Sequence, residues 1–202
     1  MKRGNSMKKG LKATVALGLV LCFSLCFMGC IVRGPVAPLI PVAQARDIGE
    51  WMLPVVANGE AFGMTKEVEI QELLAQDEVS MVLMHFWATW CSPATEDFLP
   101  QLDQVYREHK QDGLVLLMIS IDTDQIVFFE RIENYLDELE IASPVLWDYN
   151  LRVKDFLEIG AIPATFLVDK EGRIRYEHTG YTSEEIDIPP LLEAIDFLLW
   201  EM

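Results

Sequence analysis

One short run, Ser80-Met-Val-Leu-Met-His-Phe-Trp87, constrains this chain more than any other feature. It has the length of a strand and is apolar at successive positions without alternation, the pattern of a strand buried on both faces. Ala88-Thr-Trp-Cys-Ser-Pro93 follows as a tight turn. Beyond it Phe98, Leu99, Leu102, Val105 and Tyr106 recur at spacings of three and four, so a helix comes next. Pro100 inside that helix is expected to kink it.

The same signals continue along the chain. Leu114 to Ile121 is a second apolar run of strand type, and Ile126, Phe129, Ile132, Tyr135 (or Leu136) and Leu139 mark an amphipathic helix. Pro144 to Trp147 reads as a short strand, and Leu151 to Leu157 as a short helix ended by Gly160. Thr165–Val168 and Arg173–His178 read as strands joined by a hairpin turn at Asp169-Lys-Glu-Gly172. Ser183 to Trp200 reads as a closing helix with Pro189 and Pro190 near its start. Upstream, residues 51–63 suggest a loose hairpin turning at Asn58-Gly59, and Val68 to Gln76 a short helix. Strand and helix alternate through the middle and the chain closes with a hairpin, which implies a mixed sheet covered by helices on both faces.

The N-terminus reads as an address rather than as part of this domain. A basic start precedes Ala13 to Val32, a run without a charged residue that is just long enough to span a bilayer. Three fates are open. Cleavage before Cys30, preceded by Gly29, would give a lipoprotein, although Phe27 stands where such signals usually place Leu. Ala43-Gln44-Ala45 suggests a later cleavage, and an uncleaved run would serve as an anchor. Lys8, Lys9 and Lys12 favour a cytoplasmic start with the domain outside. All three fates place the domain on the periplasmic side of the cell envelope. The expected organisation is a signal peptide or anchor over 1–32, a proline-bearing linker over 33–49 and one domain over 50–202.

Charge narrows the partners. Residues 1–45 hold six basic side chains and no acid, which leaves ten basic against thirty-two acidic groups beyond them. Such a surface repels phosphate backbones and argues against nucleic-acid binding. Cys22, Cys26 and Cys30 all lie in the apolar segment, so Cys91 is the one cysteine of the domain. One Cys and the scattered His85, His109 and His178 show no ligand spacing, so neither a metal nor another cofactor is expected.

A cysteine at a strand-to-helix turn gains from the helix start, where unpaired N–H groups and the positive dipole end stabilise a thiolate, the nucleophilic form. Ser92-Pro93 supports a helix beginning there. Lone cysteines more often serve as small buried fillers, but this placement beside Trp90 favours a functional thiol.

Phe86-Trp-Ala-Thr-Trp-Cys-Ser-Pro-Ala94 resembles the active site of the thioredoxin superfamily. It is most similar to the exported, membrane-tethered TlpA-type branch, which carries Phe-Trp-Ala-x-Trp-Cys-x-Pro-Cys after a buried strand. Asp148, Ile162-Pro163-Ala164-Thr165-Phe166, and Asp169 followed by Gly172 match the later signature. The resemblance covers roughly residues 50 to 180. It implies an α/β, thioredoxin-like fold with a central mixed sheet flanked by helices and a short N-terminal extension. It also implies that Pro163 forms a cis-proline loop facing Cys91, with backbone at Ile162 and Pro163 free to dock a substrate strand. Asp97 takes the family's acidic position six after the cysteine, while the proline two beyond it is displaced to Pro100. His85, six before Cys91, stands where cytosolic thioredoxins bury an acid. It could exchange protons with Cys91 or a leaving thiol, or be a hydrogen-bonded core histidine. Trp87 and Trp90 are expected to pack rather than to serve as substrate platforms, with Trp90 edging the site, and His109 and His178 to lie at the surface.

Ala94 is the departure that matters. The family places its resolving cysteine there, and without it a mixed disulfide on Cys91 has no internal release. The leading expectation is therefore a thiol–disulfide oxidoreductase with a monothiol site. It would form mixed disulfides with protein or small-molecule thiols that an external thiol resolves. The second is a redox-inactive binding or assembly module on the same fold. A one-cysteine peroxidase comes third, because it needs a Thr three before and a Pro seven before the cysteine, where this chain has Ala88 and Met84.

Overall fold

The computed structural model describes residues 39–202 apart from 61, 62, 65 and 93. The basic start, the apolar run with Cys30, and Pro93 lie outside the described residues. In chain order the elements are β1 (Met52–Ala57), β2 (Glu67–Glu69), α1 (Ile70–Leu74), β3 (Met81–Trp87), α2 (Ala94–His109), β4 (Leu114–Ser120), α3 (Gln125–Glu138), β5 (Val145–Trp147), α4 (Arg152–Phe156), β6 (Ala164–Asp169), β7 (Ile174–Thr179) and α5 (Glu184–Glu201).

The apolar run becomes β3, and all seven of its residues are buried. It lies near the middle of a seven-stranded mixed sheet ordered β2-β1-β5-β4-β3-β6-β7. β3 pairs parallel with β4, from Met81↔Leu114 to Trp87↔Ser120, and antiparallel with β6, from Met81↔Asp169 to Phe86↔Ala164. Side chains alternate across a strand, so the two faces feed two separate cores. Val82, Met84 and Phe86 meet α1 and α4 through Leu73, Leu74 and Val153. Met81, Leu83 and Trp87 meet α2, α3 and α5 through Phe98, Leu102, Phe128, Ile132 and Leu191. A strand with helices on both sides needs no polar face, which is why this stretch of sequence does not alternate.

Several expectations are corrected at the element level. Val68 belongs to β2, the antiparallel partner of β1, so the helix there is only the five residues from Ile70. On α3 the core-facing set is Phe128, Ile132 and Leu136, whereas Ile126 is exposed and Phe129 is half-exposed with its ring edge-on to Trp147 at 5.3 Å. The turn that ends α4 is made by Glu158 at φ 57°, with Ile159 N–H donating to the Lys154 carbonyl, rather than by Gly160. As the sequence leads one to expect, Pro189 and Pro190 lie inside the closing helix α5, and α2 extends past Pro100 to His109. The proline-bearing stretch before the first strand is also packed. Ile40 N–H donates to the Arg175 carbonyl at 2.7 Å, Ile174 N–H to the Arg46 carbonyl at 2.8 Å, and Ile48 is fully buried. The packed domain thus begins ahead of residue 50.

Leu102 sits in the centre of the α2 contact with no exposed surface. Leu102→Ala removes buried methyls that neighbours on three elements cannot all follow. It should cost about 2–5 kcal/mol, read as a lower urea midpoint at unchanged slope. A cost within the noise would mean that α2 is not anchored through this side chain.

Candidate active site

The cysteine is placed by what β3 pairs with. At the end of β3, Phe86 is opposite Ala164, the first residue of β6, so the loop before β6 faces the turn after β3. That loop holds the cis peptide Ile162–Pro163. In the turn, Cys91 N–H donates to the Ala88 carbonyl at 3.0 Å, and the Cys91 carbonyl accepts from Thr95 N–H at 3.1 Å and Thr95 Oγ1 at 3.0 Å. These bonds lead the chain into α2. Cys91 is a free, partly exposed thiol, with Sγ 3.9 Å from the Ile162 carbonyl oxygen. Of the two residues expected to dock substrate, Pro163 has its carbonyl already bonded to Gly180 N–H at 2.7 Å. The carbonyl facing the thiol is that of Ile162. Trp90 stands open to solvent at 62 % exposure, and Asp97 is exposed on the first turn of α2.

A buried acid that no sequence motif pointed to braces the turn. Asp122, just after β4, accepts from Thr89 N–H at 3.0 Å, Thr89 Oγ1 at 2.8 Å and Ser120 Oγ at 2.8 Å. Its carbonyl accepts from Trp147 Nε1 at 2.6 Å. The loops after β3 and β4 and the end of β5 are tied together through this one residue. Asp148, part of the matching signature, is fully buried, and its Oδ2 accepts from Lys154 N–H at 2.8 Å, holding α4.

His85 lies on the α2 side of β3 with no exposed surface. Nδ1 is 3.0 Å from Thr165 Oγ1 on the paired strand, the ring meets Phe98 edge-on at 5.1 Å, and Nε2 has no hydrogen-bond partner among the described residues. Burial pushes its pKa down to about 3, so the imidazole is neutral at ordinary pH. This is the arrangement of a hydrogen-bonded core histidine, and carrying a proton would work against its burial. His178 is half-buried rather than a free surface residue, with Nε2 3.0 Å from Oδ1 of the buried Asp187.

Tyr135 is a second group whose place could not be read in advance, since either it or Leu136 satisfied the helical spacing. Its ring stacks on Trp87 at 5.9 Å, and its hydroxyl donates to Glu96 Oε1 at 3.5 Å. Burial first, then the Glu96 carboxylate and Cys91, push its pKa up to about 12 despite an opposing hydrogen bond from Ser92. Ser92 Oγ donates to the same carboxylate oxygen. A protonated phenol and a carboxylate therefore rim the thiol. Among the described residues no cluster of three or more His, Cys, Asp or Glu could hold a metal ion.

Comparison with known proteins agrees with this fold. The AhpC/TSA family model matches residues 55–177. The chain is 31 % identical over 112 residues to the thiol-disulfide oxidoreductase ResA of Oceanobacillus iheyensis, covering 55 % of this chain and 56 % of that protein. The match thus spans little more than half the length of that relative. A ResA of Bacillus subtilis is 24 % identical over 181 residues, 89 % of this chain and 92 % of its own. The solved structure of a thioredoxin-like protein from Porphyromonas gingivalis superposes with a TM-score of 0.56 at 27 % identity, covering 74 % of this chain and 90 % of that one. The fold is thioredoxin-like.

His85 carries a pH prediction. Its folded pKa lies below its unfolded value of 6.5, so between about 6.5 and 3 the unfolded chain binds a proton that the folded one does not. That contribution to stability is complete above about pH 6.5 and falls as pH drops, by roughly 1.4 kcal/mol per unit. His85→Gln keeps a partner for Thr165 but does not titrate there. Urea unfolding at pH 7 and pH 5 should show the wild type losing about 2 kcal/mol more than the variant. Parallel losses would place a proton on His85 in the folded state.

Proposed function

The chain belongs to the AhpC/TSA family, and on that premise we propose that it is an exported thiol–disulfide oxidoreductase acting through Cys91 alone. The observation that carries the reading is the partly exposed Cys91 Sγ at the β3–α2 turn, 3.9 Å from the Ile162 carbonyl beside the cis Ile162–Pro163 bond. Cys91 thiolate attacks one sulfur of a substrate disulfide, forming a Cys91–substrate disulfide and releasing the other sulfur as a thiolate. An external thiolate then attacks the substrate sulfur of that mixed disulfide, freeing Cys91 and leaving the substrate joined to the external thiol. Electrons are conserved in each exchange, so no further reductant is needed. Asp122 fixes the turn through Thr89, the Ile162 carbonyl faces the incoming chain, and Trp90 offers it an aromatic edge. The partners are protein or small-molecule thiols and disulfides, met on the outer side of the membrane that the N-terminal segment tethers.

Ala94 favours a second reading, a docking module that keeps the fold without turnover. The peroxidase reading ranks below both, because the buried Met84 and Ala88 occupy the positions that would need Pro and Thr.

The test uses the full chain and oxidised glutathione as probe. An adduct should form on the Cys91 peptide, persist until reduced glutathione is added, and be missing from Cys91→Ser. Ala94→Cys should stop the adduct accumulating and yield instead an internal disulfide between Cys91 and the introduced thiol. A folded protein that forms no adduct, while the same protein in denaturant does, would give the site to the docking module.

A further inference from the structure

We infer that the cavity beside α4 seats an extended substrate polypeptide, holding an aromatic side chain about three or four residues from the cysteine that Cys91 attacks; this rests on the thiol-exchange reading above. The cavity, about 610 Å³, opens where β1 begins and β5 ends, and Trp51, Met52, Tyr149 and Phe156 supply its apolar walls. Met52, Tyr149 and Phe156 are each more than half exposed, and neither core of the sheet includes them. Exposed large apolar side chains that converge on one cavity mark a binding surface rather than a requirement of the fold. The walls are also held in place. A Cβ on Gly49 would stand 2.6 Å from the Phe156 ring, so only glycine, here at φ 74°, lets that ring lie where it does. The Tyr149 ring sits 5.3 Å from that of Trp147, the residue whose indole N–H donates to the Asp122 carbonyl.

The occupant follows from what the cavity adjoins. β5 runs parallel with β4, and β4 with β3, so Tyr149 follows β5 at the end of the sheet where Cys91 follows β3. β1 lies next to β5. The cavity therefore stands two to three strand spacings from the thiol, roughly 10–14 Å. An extended chain crosses that gap in about three or four residues. One segment borders the whole path. It leaves β5 at Tyr149, forms α4 along the cavity and reaches Ile162, whose carbonyl oxygen lies 3.9 Å from Cys91 Sγ. A chain lying along this segment meets a backbone acceptor at the thiol and aromatic walls at the far end. Charge sets its composition. Glu50 and Glu67 line the cavity against the single cation Arg152, so a lysine or arginine beside the aromatic residue is favoured over an acid. Glutathione, with one residue on either side of its cysteine, reaches the thiol alone.

Single-cysteine peptides carried as mixed disulfides with nitrothiobenzoate test this on the full-length protein. Cys91 thiolate attacks the peptide sulfur, and nitrothiobenzoate leaves as the coloured thiolate that is read. Only the release that Cys91→Ser loses is counted. A peptide with tryptophan three or four residues from its cysteine, and lysine beside that tryptophan, should react roughly tenfold faster than one with alanine in the tryptophan's place. Moving the tryptophan next to the cysteine should forfeit the gain, and an acid in place of the lysine should reduce it at low salt. Tyr149→Ala and Phe156→Ala should each cut the ratio of the two peptide rates. Both rings are more than half exposed, so neither change opens a core. Equal rates for the two peptides, with the glutathione adduct still forming on Cys91, overturn the inference and leave the exchange reading standing. Neither adduct nor release overturns the exchange reading, and the inference with it. A dimer in sedimentation that Phe156→Ala dissociates, with no tryptophan preference among the peptides, would give the cavity to a second copy of the chain.

Discussion

Everything at the candidate site depends on β3 being held from both sides in fixed register. Its parallel partner β4 and antiparallel partner β6 form their ladders over nearly its whole length. A slip of one residue against either would turn Met84 and His85 to the wrong faces and tear both cores. The cost of that slip is what locates the chemistry. Because β3, β4 and β5 run in the same direction, their last residues lead into Cys91, Asp122 and Asp148 at one end of the sheet. β6 runs the other way, so the Ile162–Pro163 loop that precedes it arrives at that same end. Residues distant in sequence meet without any motif linking them, since the ladder has already fixed which ends coincide.

Given that clamp, the turn needs little else. Thr95 closes the first turn of α2 on the Cys91 carbonyl, and Asp122 holds Thr89 from below. Among the described residues Asp122 is buried without a cationic partner, and three donors satisfy its oxygens instead. Hydrogen bonds to a buried carboxylate are strong and costly to break, so the turn is stiff where the thiol must be presented. His85 adds no charge beneath it. The site is thus a partly exposed thiol on a rigid turn, with a neutral core below and a Glu96–Tyr135 rim beside it.

Much of this was legible in the residues alone. The unbroken run of β3 announced a strand covered on both faces, and the Trp-Cys-Ser turn between strand and helix announced the thiol. What stayed hidden has physical causes. On α3, Ile126 and Phe129 fit helical spacing as well as Phe128 and Ile132 do, and only the position of Trp147 and Trp87 against the helix decides between them. Residues 40–48 resemble a linker in sequence because their prolines and mixed composition say nothing of backbone N–H groups, and it is those groups that pair them with β7. Asp122 is one acid among thirty-two, distinguished only by the donors that the tertiary fold brings to it. Glu158 adopts the left-handed conformation two residues before Gly160, since Ile159 N–H is the donor that the Lys154 carbonyl takes there.

The lone thiol and the acidic surface bear on one another. On the monothiol reading proposed above, turnover would be only as fast as a second thiol reaches the mixed disulfide, so the encounter with an outside partner would replace an internal step. Ten basic against thirty-two acidic groups beyond residue 45 set the sign of the field that any such partner meets. Cationic or neutral chains approach it faster than anionic ones, and salt weakens that preference. The local chemistry agrees with the global charge, since Glu96 and Asp97 lie on the first turn of α2 beside Cys91. A resolving thiol carried on a basic protein segment satisfies both, whereas a small anionic thiol must work against them. On the proposed monothiol reading, Ala94 at the resolving position would move selectivity from the pairing of two thiols within one turn to the charge of whatever chain supplies the second.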